Sequence, residues 1–266
     1  MSIFEQRKKL SEMPADQVYV IYGEQASGKT VLASTFPKPM LFLDINEGGT
    51  DSIPHEYEDE IEVISIRNFN DFDEAVTTLL DGHYFDSTGT EVKLPEYKSV
   101  AFDTITQLEY LLKQMVMKEN SKSSMTLQLW GKTKDTSEFM FQLFREIHEK
   151  TSACVIATAH VKAIKKEEHP EYDILLPSMM ESAARTLCAK ASHVWFTDVV
   201  YEDTIDPTTS EVTRKVKFVT TIDRVPYLVT KCRKPPTMTG KIPLKITNLT
   251  YNRFQKMVLD QITKED

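Results

Sequence analysis

The chain has 266 residues, of which 41% are hydrophobic and 27% are charged, and its formal net charge is −8. This composition indicates a soluble globular protein with one large α/β domain or a core with appendages, and the negative charge argues against a protein that coats nucleic acid. The apolar runs are shorter than the roughly 20 residues of a membrane helix and MSIFEQRKKL has no signal-peptide core, so we expect a cytoplasmic protein without membrane contacts.

Eight apolar runs predict strands, in chain order VYVIY (18–22), MLFLDI (40–45), IEVISI (61–66), SVAFD (99–103), CVIATAH (154–160), HVWFTDVVY (193–201), VKFVTTI (216–222) and PYLVTKC (226–232). The early runs are continuously hydrophobic, as in strands that are buried on both faces. Helical periodicity predicts helices over 104–118, 135–150 and 251–263, the second with a capping box at Asp135 and Glu138. The alternation predicts an α/β fold with a mostly parallel, doubly wound sheet and an antiparallel extension after residue 190.

The segment YGEQASGKT (22–30) joins the first predicted strand to a helix-like run and matches the phosphate-binding pattern G-x-x-x-x-G-K-[ST]. Glycines allow successive backbone N–H groups to curl around phosphate oxygens, and a helix N-terminus adds partial positive charge. The segment therefore predicts an ATP site, with contacts from Gly23, Glu24, Gln25, Ala26, Ser27, Gly28, Lys29, Thr30 and Val31.

The metal side of this site is predicted from the same segment and from the strand SVAFD. Lys29 is expected to reach the β- and γ-phosphates, and the hydroxyl of Thr30 is expected to bind Mg²⁺. Asp103 ends its strand at the carboxyl edge of the sheet, where it is expected to hold the metal's hydration shell. The alternative is that Asp103 only caps the following helix.

Hydrolysis also needs a group that positions water. Asp44 and Glu47 follow the second predicted strand, and either carboxylate could present itself to the γ-phosphate. His160 ends the run CVIATAH, where it is expected to contact the γ-phosphate, unless it is an ordinary polar residue at a strand end.

The order of these motifs resembles the RecA-type recombinase core over residues 18–236. LFLDINEGG, SVAFDTITQL, VIATAH and AARTLCAKASHVWF carry most of the resemblance, which is greatest to small bacteriophage ATPases, the fourth Sak class of single-strand annealing proteins. It implies a RecA-like P-loop ATPase core (18–250) and a C-terminal helix (251–266), after an N-terminal segment (1–17) that straps onto a neighbouring subunit or is simply frayed. It also implies that Glu47 is the catalytic glutamate, although Asp44 and Glu47 are one residue further apart than in the usual Asp-x-Glu.

Proteins of this superfamily carry a Lys-x-Lys or Lys-x-Arg pair that reaches the neighbouring subunit's ATP, and Lys231 and Arg233 match it. Residues i and i+2 of a strand face the same way, so both cations can approach one triphosphate. The resemblance therefore implies homo-oligomers, either rings or filaments, whose ATP sites are completed in trans.

Positive charge is concentrated in one part of the chain. Residues 213–247 contain nine basic residues and one acidic residue, a net charge of +8 that leaves −16 for the remainder. This asymmetry predicts a localised anionic partner, or else lysines that merely solvate a strand edge.

Two long segments are predicted as loops that contact DNA, residues 118–134 and 161–178. Loops of this length are uncommon unless they are functional or disordered, and lysines next to aromatic rings suit single strands. Both segments also contain acidic residues, and Trp130 could belong to the core instead. The predicted DNA contacts are Lys122, Trp130 and Lys132 in the first segment and Lys162, Lys165 and Lys166 in the second.

Together these features predict an ATPase that depends on Mg²⁺ and is stimulated by single-stranded DNA. The resemblance implies a recombinase that promotes annealing or strand exchange in phage DNA recombination, with a single-strand-binding protein as partner and in the host cytoplasm if phage-encoded. A hexameric helicase or helicase loader with the same core is the first alternative. A P-loop kinase of a small metabolite is the second, although the sequence shows no cluster of lid arginines.

Overall fold

The computed structural model describes residues 17–167, 170–205, 212–233 and 242–262, so all of the predicted N-terminal segment except Gln17 lies outside the described residues. The strands are Val18–Gly23 (β1), Met40–Ile45 (β2), Ile61–Ile66 (β3), His83–Phe85 (β4), Glu91–Lys93 (β5), Ser99–Asp103 (β6), Cys154–Ile164 (β7), Ile174–Pro177 (β8), His193–Ile205 (β9), Val212–Thr221 (β10), Lys231–Cys232 (β11) and Lys245–Thr247 (β12). The helices are Lys29–Ser34 (α1), Phe69–Asp81 (α2), Ile105–Glu119 (α3), Leu127–Thr151 (α4), Glu181–Lys190 (α5) and Tyr251–Ile262 (α6), with 3₁₀ turns at Gly49–Ser52 and His55–Glu60.

One large sheet organises the molecule, in the order β12-β10-β9-β1-β7-β6-β2-β3, with β11 against β9 and β8 against β7. Neighbouring strands from β3 to β9 in this order are parallel. The pairs β10–β9, β11–β9, β12–β10 and β8–β7 are antiparallel. The predicted α/β class, with a mostly parallel sheet and an antiparallel C-terminal extension, is confirmed.

Apolar side chains cover both faces of this sheet. Along β1, Val20 and Tyr22 pack in a cluster with α2 to α5, whereas Tyr19 and Ile21 pack in a second cluster with α1 and α6. Alternate residues of a strand point to opposite faces, so a strand between two helical layers needs an unbroken apolar run. Full burial of each such side chain stabilises the folded state by about 1.5–3 kcal/mol. All six residues of β1 are buried, so this strand lies at the centre of the core.

Helix α4 begins earlier than predicted, and the predicted capping box is wrong. The N-cap is Thr126, whose Oγ1 accepts a hydrogen bond from the backbone N–H of Leu129 at 3.4 Å, so Asp135 lies inside the helix. The buried face of the first turns carries hydroxyls, because Thr133 donates to the carbonyl of Leu129 and Ser137 to that of Thr133. Hydrophobic periodicity does not detect such a face.

Both predicted DNA loops are shorter than expected. The first is reduced to residues 120–126, between α3 and α4. In the second, β7 continues to Ile164 and pairs with β8, from Val161 opposite Pro177 to Ile164 opposite Ile174. This segment is therefore a β-hairpin that extends from the carboxyl end of β7.

The C-terminal strands also differ from the prediction. The run 226–232 forms a strand only at Lys231–Cys232, and Val225 and Leu228 make isolated bridges. Pro226 has no N–H to donate, which interrupts a continuous ladder. Helices α2 and α5 and the β4–β5 hairpin were not among the predicted elements. Within the described part of the chain, no helix combines the length and the apolar composition that a membrane crossing requires.

Candidate functional site

The turn from β1 into α1 is shaped by two glycines. A Cβ on Gly23 would lie 2.1 Å from the carbonyl oxygen of Thr197 on β9, which leaves no room for a side chain. Gly28 has a φ of 81°, in the left-handed region that glycine adopts without strain. The backbone of residues 23–28 therefore curls tightly at the carboxyl edge of the sheet, as a phosphate loop requires.

Lys29 points back into this loop. Its side chain is buried, and Nζ donates to the carbonyl oxygens of Gly23 at 3.2 Å and Glu24 at 2.7 Å. Burial lowers the pKa of Lys29, and the negative charges of Asp103, Glu47 and Glu24 oppose that shift. The ammonium group thus donates to two carbonyl oxygens, and the oxygens of a phosphate ligand can replace them as acceptors.

Thr30 and Asp103 form the second part of the site. The hydroxyl of Thr30 donates to Oδ2 of Asp103 at 2.8 Å, and the hydroxyl of Thr158 on β7 donates to Oδ1. Burial raises the pKa of Asp103, and these two hydrogen bonds oppose the increase. The N-cap of α3 is Thr104, so Asp103 is not the capping residue that the alternative prediction made it.

Glu47 and His160 face each other across the mouth of the site. Nε2 of His160 lies 2.7 Å from Oε1 of Glu47, and the hydroxyl of Thr104 donates to the same oxygen at 3.3 Å. Burial alone would raise the pKa of Glu47, but His160, together with hydrogen bonds from Gln107 and Thr104, holds it below its ordinary value. Glu47 is therefore a carboxylate over a wide pH range.

Asp44 has a different environment. Its Oδ1 accepts hydrogen bonds from the backbone N–H groups of Gly48 at 3.1 Å and Glu47 at 3.4 Å. These bonds hold the turn that follows β2 and place Glu47 at the edge of the site. Asp44 is buried at the end of its strand.

A cavity of about 380 Å³ joins these groups. It is lined by residues 25–31 of the phosphate loop, by Glu47 and the turn after it, and by Asp103, Thr104, His160 and Phe218. The turn approaches the metal-side groups closely, because a Cβ on Gly49 would lie 3.0 Å from Oδ2 of Asp103 and 3.2 Å from Oγ1 of Thr30. A hydroxyl, a carboxylate and a buried ammonium in one cradle fit a triphosphate with Mg²⁺.

A protein-family model described as an AAA domain, AAA_24, matches residues 15–244. The chain belongs to the AAA_24 family. This membership and the phosphate loop make it a P-loop ATPase domain. The solved structure of the flagellar accessory protein FlaH from Methanocaldococcus jannaschii is similar to this AAA_24 chain with 12% identity and a TM-score of 0.44, over 88% of this chain and 85% of that one. No curated protein matches it significantly.

Lys231 and Arg233 of this AAA_24 domain lie away from its own cavity. Strand β11 pairs with the first residues of β9, Lys231 opposite Val194, whereas the phosphate loop follows the carboxyl end of β1, where Gly23 lies beside Thr197 of β9. Nζ of Lys231 donates to the carbonyl oxygens of Ala189 at 2.8 Å and Ala191 at 2.6 Å, at the end of α5. Within its own chain Lys231 therefore binds a helix C-terminus, where cations are favoured.

The basic segment 213–247 is partly neutralised across the β9–β10 pair. Arg214 contacts Asp203 through two hydrogen bonds of 2.8 and 3.0 Å, and Lys217 lies 2.5 Å from Glu202. Asp203 and Glu202 precede the segment in sequence and were not included in its net charge of +8. The positive charge of this surface is therefore smaller than that count. Lys234 and Lys241 lie outside the described residues.

A second groove of the AAA_24 domain, of about 650 Å³, lies beside the first cavity. Helix α3 lines it with Thr106, Gln107, Glu109, Tyr110 and Lys113, and the remaining lining residues are Trp130, Lys162, Ser178, Met179 and Met180. The groove thus brings together one predicted DNA contact from each segment, Trp130 from the first and Lys162 from the second. Lys122, Lys132, Lys165 and Lys166 are not among the residues that line it, and Lys132 donates to Oδ1 of Asn120 at 2.7 Å.

The wall of the groove is held by a buried carboxylate. Glu109 accepts from the backbone N–H of Met180 at 2.7 Å and from Nζ of Lys113 at 2.5 Å. The same ammonium lies 4.9 Å from the ring centroid of Trp130, and Nζ of Lys162 donates to the carbonyl of Met179. These contacts fix the positions of a cation and an indole at the surface of the groove.

Sequence analysis did not identify several of these groups. Thr158 and Gln107 are ordinary polar residues of a strand and a helix, and only the fold brings them to Asp103 and Glu47. Phe218 lies in a predicted strand, where an aromatic residue indicates only β structure.

Proposed function

We propose that this P-loop ATPase hydrolyses ATP with Mg²⁺ and binds single-stranded DNA, as a recombinase that promotes annealing or strand exchange. The observation that carries the proposal is the position of the second groove. Gln107 of α3 lines that groove, and Thr104, the N-cap of the same helix, lines the nucleotide cavity and donates to Glu47 at 3.3 Å. A single helix therefore borders both sites, which supports a function that links nucleotide turnover to a second ligand.

In the nucleotide cavity we assign one role to each group. Lys29 binds the β- and γ-phosphates, and Thr30 and Asp103 hold Mg²⁺ and its water ligands. Mg²⁺, when bound, neutralises charge on the phosphate oxygens. Glu47 positions and deprotonates the attacking water, because its carboxylate lines the cavity while that of Asp44 holds the turn. His160 orients Glu47 through their hydrogen bond.

The second groove suits a single strand because it offers both rings and cations. Trp130 and Tyr110 are 38% and 53% exposed, enough for a base to stack on either ring. The ammonium groups of Lys113 and Lys162 lie in the same groove, where they can follow a phosphate backbone. The exposed Lys122 and Lys165 and the half-buried Lys166 extend this positive surface in the proposal.

The oligomeric form and the biological setting are further parts of the proposal. We assign completion of the ATP site in trans to Arg233 of a neighbouring copy, because Lys231 and Arg233 match the Lys-x-Arg pair of the RecA-type core. The resemblance to the fourth Sak class supports a ring or filament that acts in phage recombination in the host cytoplasm, with a single-strand-binding protein as partner.

The test compares the DNA affinity of a variant in the groove with that of a variant elsewhere on α4. Trp130→Ala should weaken binding of a labelled oligonucleotide about tenfold, since stacking on one ring contributes roughly 1–3 kcal/mol per base. Phe139→Ala is the matched control, because Phe139 is a 60% exposed aromatic residue on the same helix that does not line the groove. Binding should weaken with salt. Absence of binding at low salt, with and without ATP, would rule out the DNA function.

A second measurement separates the recombinase from a motor. Complementary strands should anneal faster with the protein, and ATP turnover should increase with single-stranded DNA. Directional displacement of a forked duplex without annealing would instead identify a helicase-type motor.

A further inference from the structure

The sheet order predicts in which direction a bound nucleotide extends. Strand β1 lies between β7 and β9, and the groups that face a γ-phosphate come from the side of β7, β6 and β2. Glu47, Asp103 and His160 all lie on that side of the phosphate loop. A triphosphate whose γ-end lies among them must direct its nucleoside to the other side, toward β9 and β10.

A smaller cavity of about 170 Å³ lies on that side. It is formed between the phosphate loop, the end of β10 and the segment that follows β12, and Phe218, Thr220, Asn248 and Thr250 contribute to its walls. Ser27, Gly28, Val31 and Phe218 line this cavity and also the nucleotide cavity, so the two adjoin.

Phe218 lies at the junction of the two cavities. Its ring packs on the phosphate loop, because a Cβ on Gly28 would lie 2.8 Å from Cδ1 of Phe218. The residue is 36% exposed and lines both cavities, so its ring is accessible to a ligand. An open ring face next to a phosphate loop is suited to stack on a base.

Asn248 holds the backbone of Phe218 in place from the adjoining segment. Its backbone N–H donates to the carbonyl oxygen of Phe218 at 2.7 Å, and its Oδ1 accepts from the N–H of Phe218 at 3.2 Å. Because Oδ1 is used in this way, the Nδ2 group is directed away from β10. An amide N–H₂ group at the wall of the cavity can donate to a ring nitrogen of a base.

We propose that Phe218 and Asn248 form the base subsite of the nucleotide site and that the base is a purine. Phe218 stacks on the purine ring, and Nδ2 of Asn248 donates to one of its nitrogens. The inference rests on the proposed nucleotide-binding function. It assigns residues to the base, which the phosphate loop does not contact.

The experiment compares two ligands that share the phosphates but differ in the base. Binding of ATP and of inorganic tripolyphosphate, each with Mg²⁺, is measured by calorimetry for the wild type, Phe218→Leu and Phe218→Trp. Phe218→Leu should weaken ATP binding about tenfold and leave tripolyphosphate binding within about twofold, because only the stacking ring is lost. Phe218→Trp retains a ring and should retain ATP affinity.

Val216→Ala is the matched control. Val216 lies two residues before Phe218, on the same face of β10, is 51% exposed and lines neither cavity. Its affinities for both ligands should equal those of the wild type. The wild type should also bind ATP and GTP more tightly than CTP, and Phe218→Leu should reduce that difference.

Two results would overturn the base subsite. Equal loss of ATP and tripolyphosphate binding in Phe218→Leu would show that the ring only shapes the phosphate loop, and unchanged ATP binding would show that the base lies elsewhere. The proposed function fails by a different result, namely tripolyphosphate and ATP binding that Lys29→Ala does not weaken.

Discussion

Glu47 and His160 are 113 residues apart in sequence, and their side chains meet at 2.7 Å between Oε1 and Nε2. Glu47 lies in the turn after β2 and His160 lies on β7, and β6 separates these two strands in the sheet, so the contact spans the end of β6. This pair closes the cavity opposite the phosphate loop, and the chemistry proposed for the site depends on it.

The choice between Glu47 and Asp44 can be tested by removing one charge at a time. Glu47→Gln keeps the shape of the side chain but cannot accept a proton, so kcat for ATP should fall about 10²- to 10⁴-fold while ATP still binds. Asp44→Asn keeps an oxygen for the N–H of Gly48, and its kcat should fall less than about tenfold. A larger loss in Asp44→Asn than in Glu47→Gln would assign the water to Asp44.

The pH dependence of turnover should depend on His160. His160 helps to hold the pKa of Glu47 below its ordinary value of 4.5, so the carboxylate persists to lower pH than in a free glutamate. In His160→Ala burial dominates, the pKa of Glu47 increases, and the acid limb of the pH profile of kcat/KM should move to higher pH. An acid limb at the same pH in both proteins would show that His160 does not affect the pKa of Glu47.

The same shift affects stability with a defined sign. A carboxylate whose pKa is lower in the folded state stabilises the protein above its ordinary pKa, and that stabilisation is lost as the pH falls through the lowered value. In denaturant titrations, the free energy of unfolding of the wild type should therefore fall more between pH 5 and lower pH than that of His160→Ala.

Thr158 should contribute to the metal side of the site through Asp103. Thr158→Val removes a hydrogen bond from a buried carboxylate and should lower the free energy of unfolding by about 1–3 kcal/mol. Because burial already raises the pKa of Asp103, the loss should raise it further and weaken Mg²⁺-dependent ATP binding. Thr158→Ser keeps the hydroxyl and should restore both properties. Full activity in Thr158→Val would show that the Thr30 hydrogen bond alone suffices.

Lys231 should stabilise the fold of its own chain. Its ammonium group contacts the carbonyl oxygens at the end of α5, so Lys231→Met should lower the free energy of unfolding by about 1 kcal/mol, measured by denaturant titration. Lys245→Met, at an exposed position of β12, is the control and should leave stability unchanged. Equal stability of Lys231→Met and the wild type would contradict this structural role.

Arg233 should act on the ATP of a neighbouring copy. Arg233→Ala should retain nucleotide binding while kcat falls about 10³-fold or more, by analogy with arginine fingers. Mixing it with Lys29→Ala protein should restore part of the activity, because each variant supplies what the other lacks. Arg224→Ala, in the same basic segment, should behave as the wild type. A mixture with no activity at any ratio would argue against a shared site.

The core strands and the phosphate loop were predictable because their signals are local. The runs at 40–45, 61–66 and 99–103 form strands with the predicted bounds. β2 and β6 are buried along their whole length, as strands between two helical layers are, whereas β3 lies at the edge of the sheet and is mostly exposed. The phosphate loop needs glycines at fixed positions for steric reasons. Gly23 leaves room for the backbone of Thr197, and Gly28 adopts a positive φ.

The rest depends on contacts between distant segments. The first turns of α4 were missed because Thr133 and Ser137 are buried with their hydroxyls bonded to the helix backbone, a pattern that resembles a polar loop in sequence. The groove between α3, α4 and the hairpin has no sequence signature, because its walls come from three separate elements. Phe218 reaches the phosphate loop only because β10 returns antiparallel to β9.

The central position of β1 has a consequence for motion. All six of its residues are buried, and it pairs with β7 on one side and β9 on the other, so its amide protons should exchange with solvent only through global unfolding. The floor of the cradle should accordingly be rigid. Any closure around a ligand must come from its rim, which the turn after β2, His160 and Phe218 form, and hydrogen exchange should slow there first.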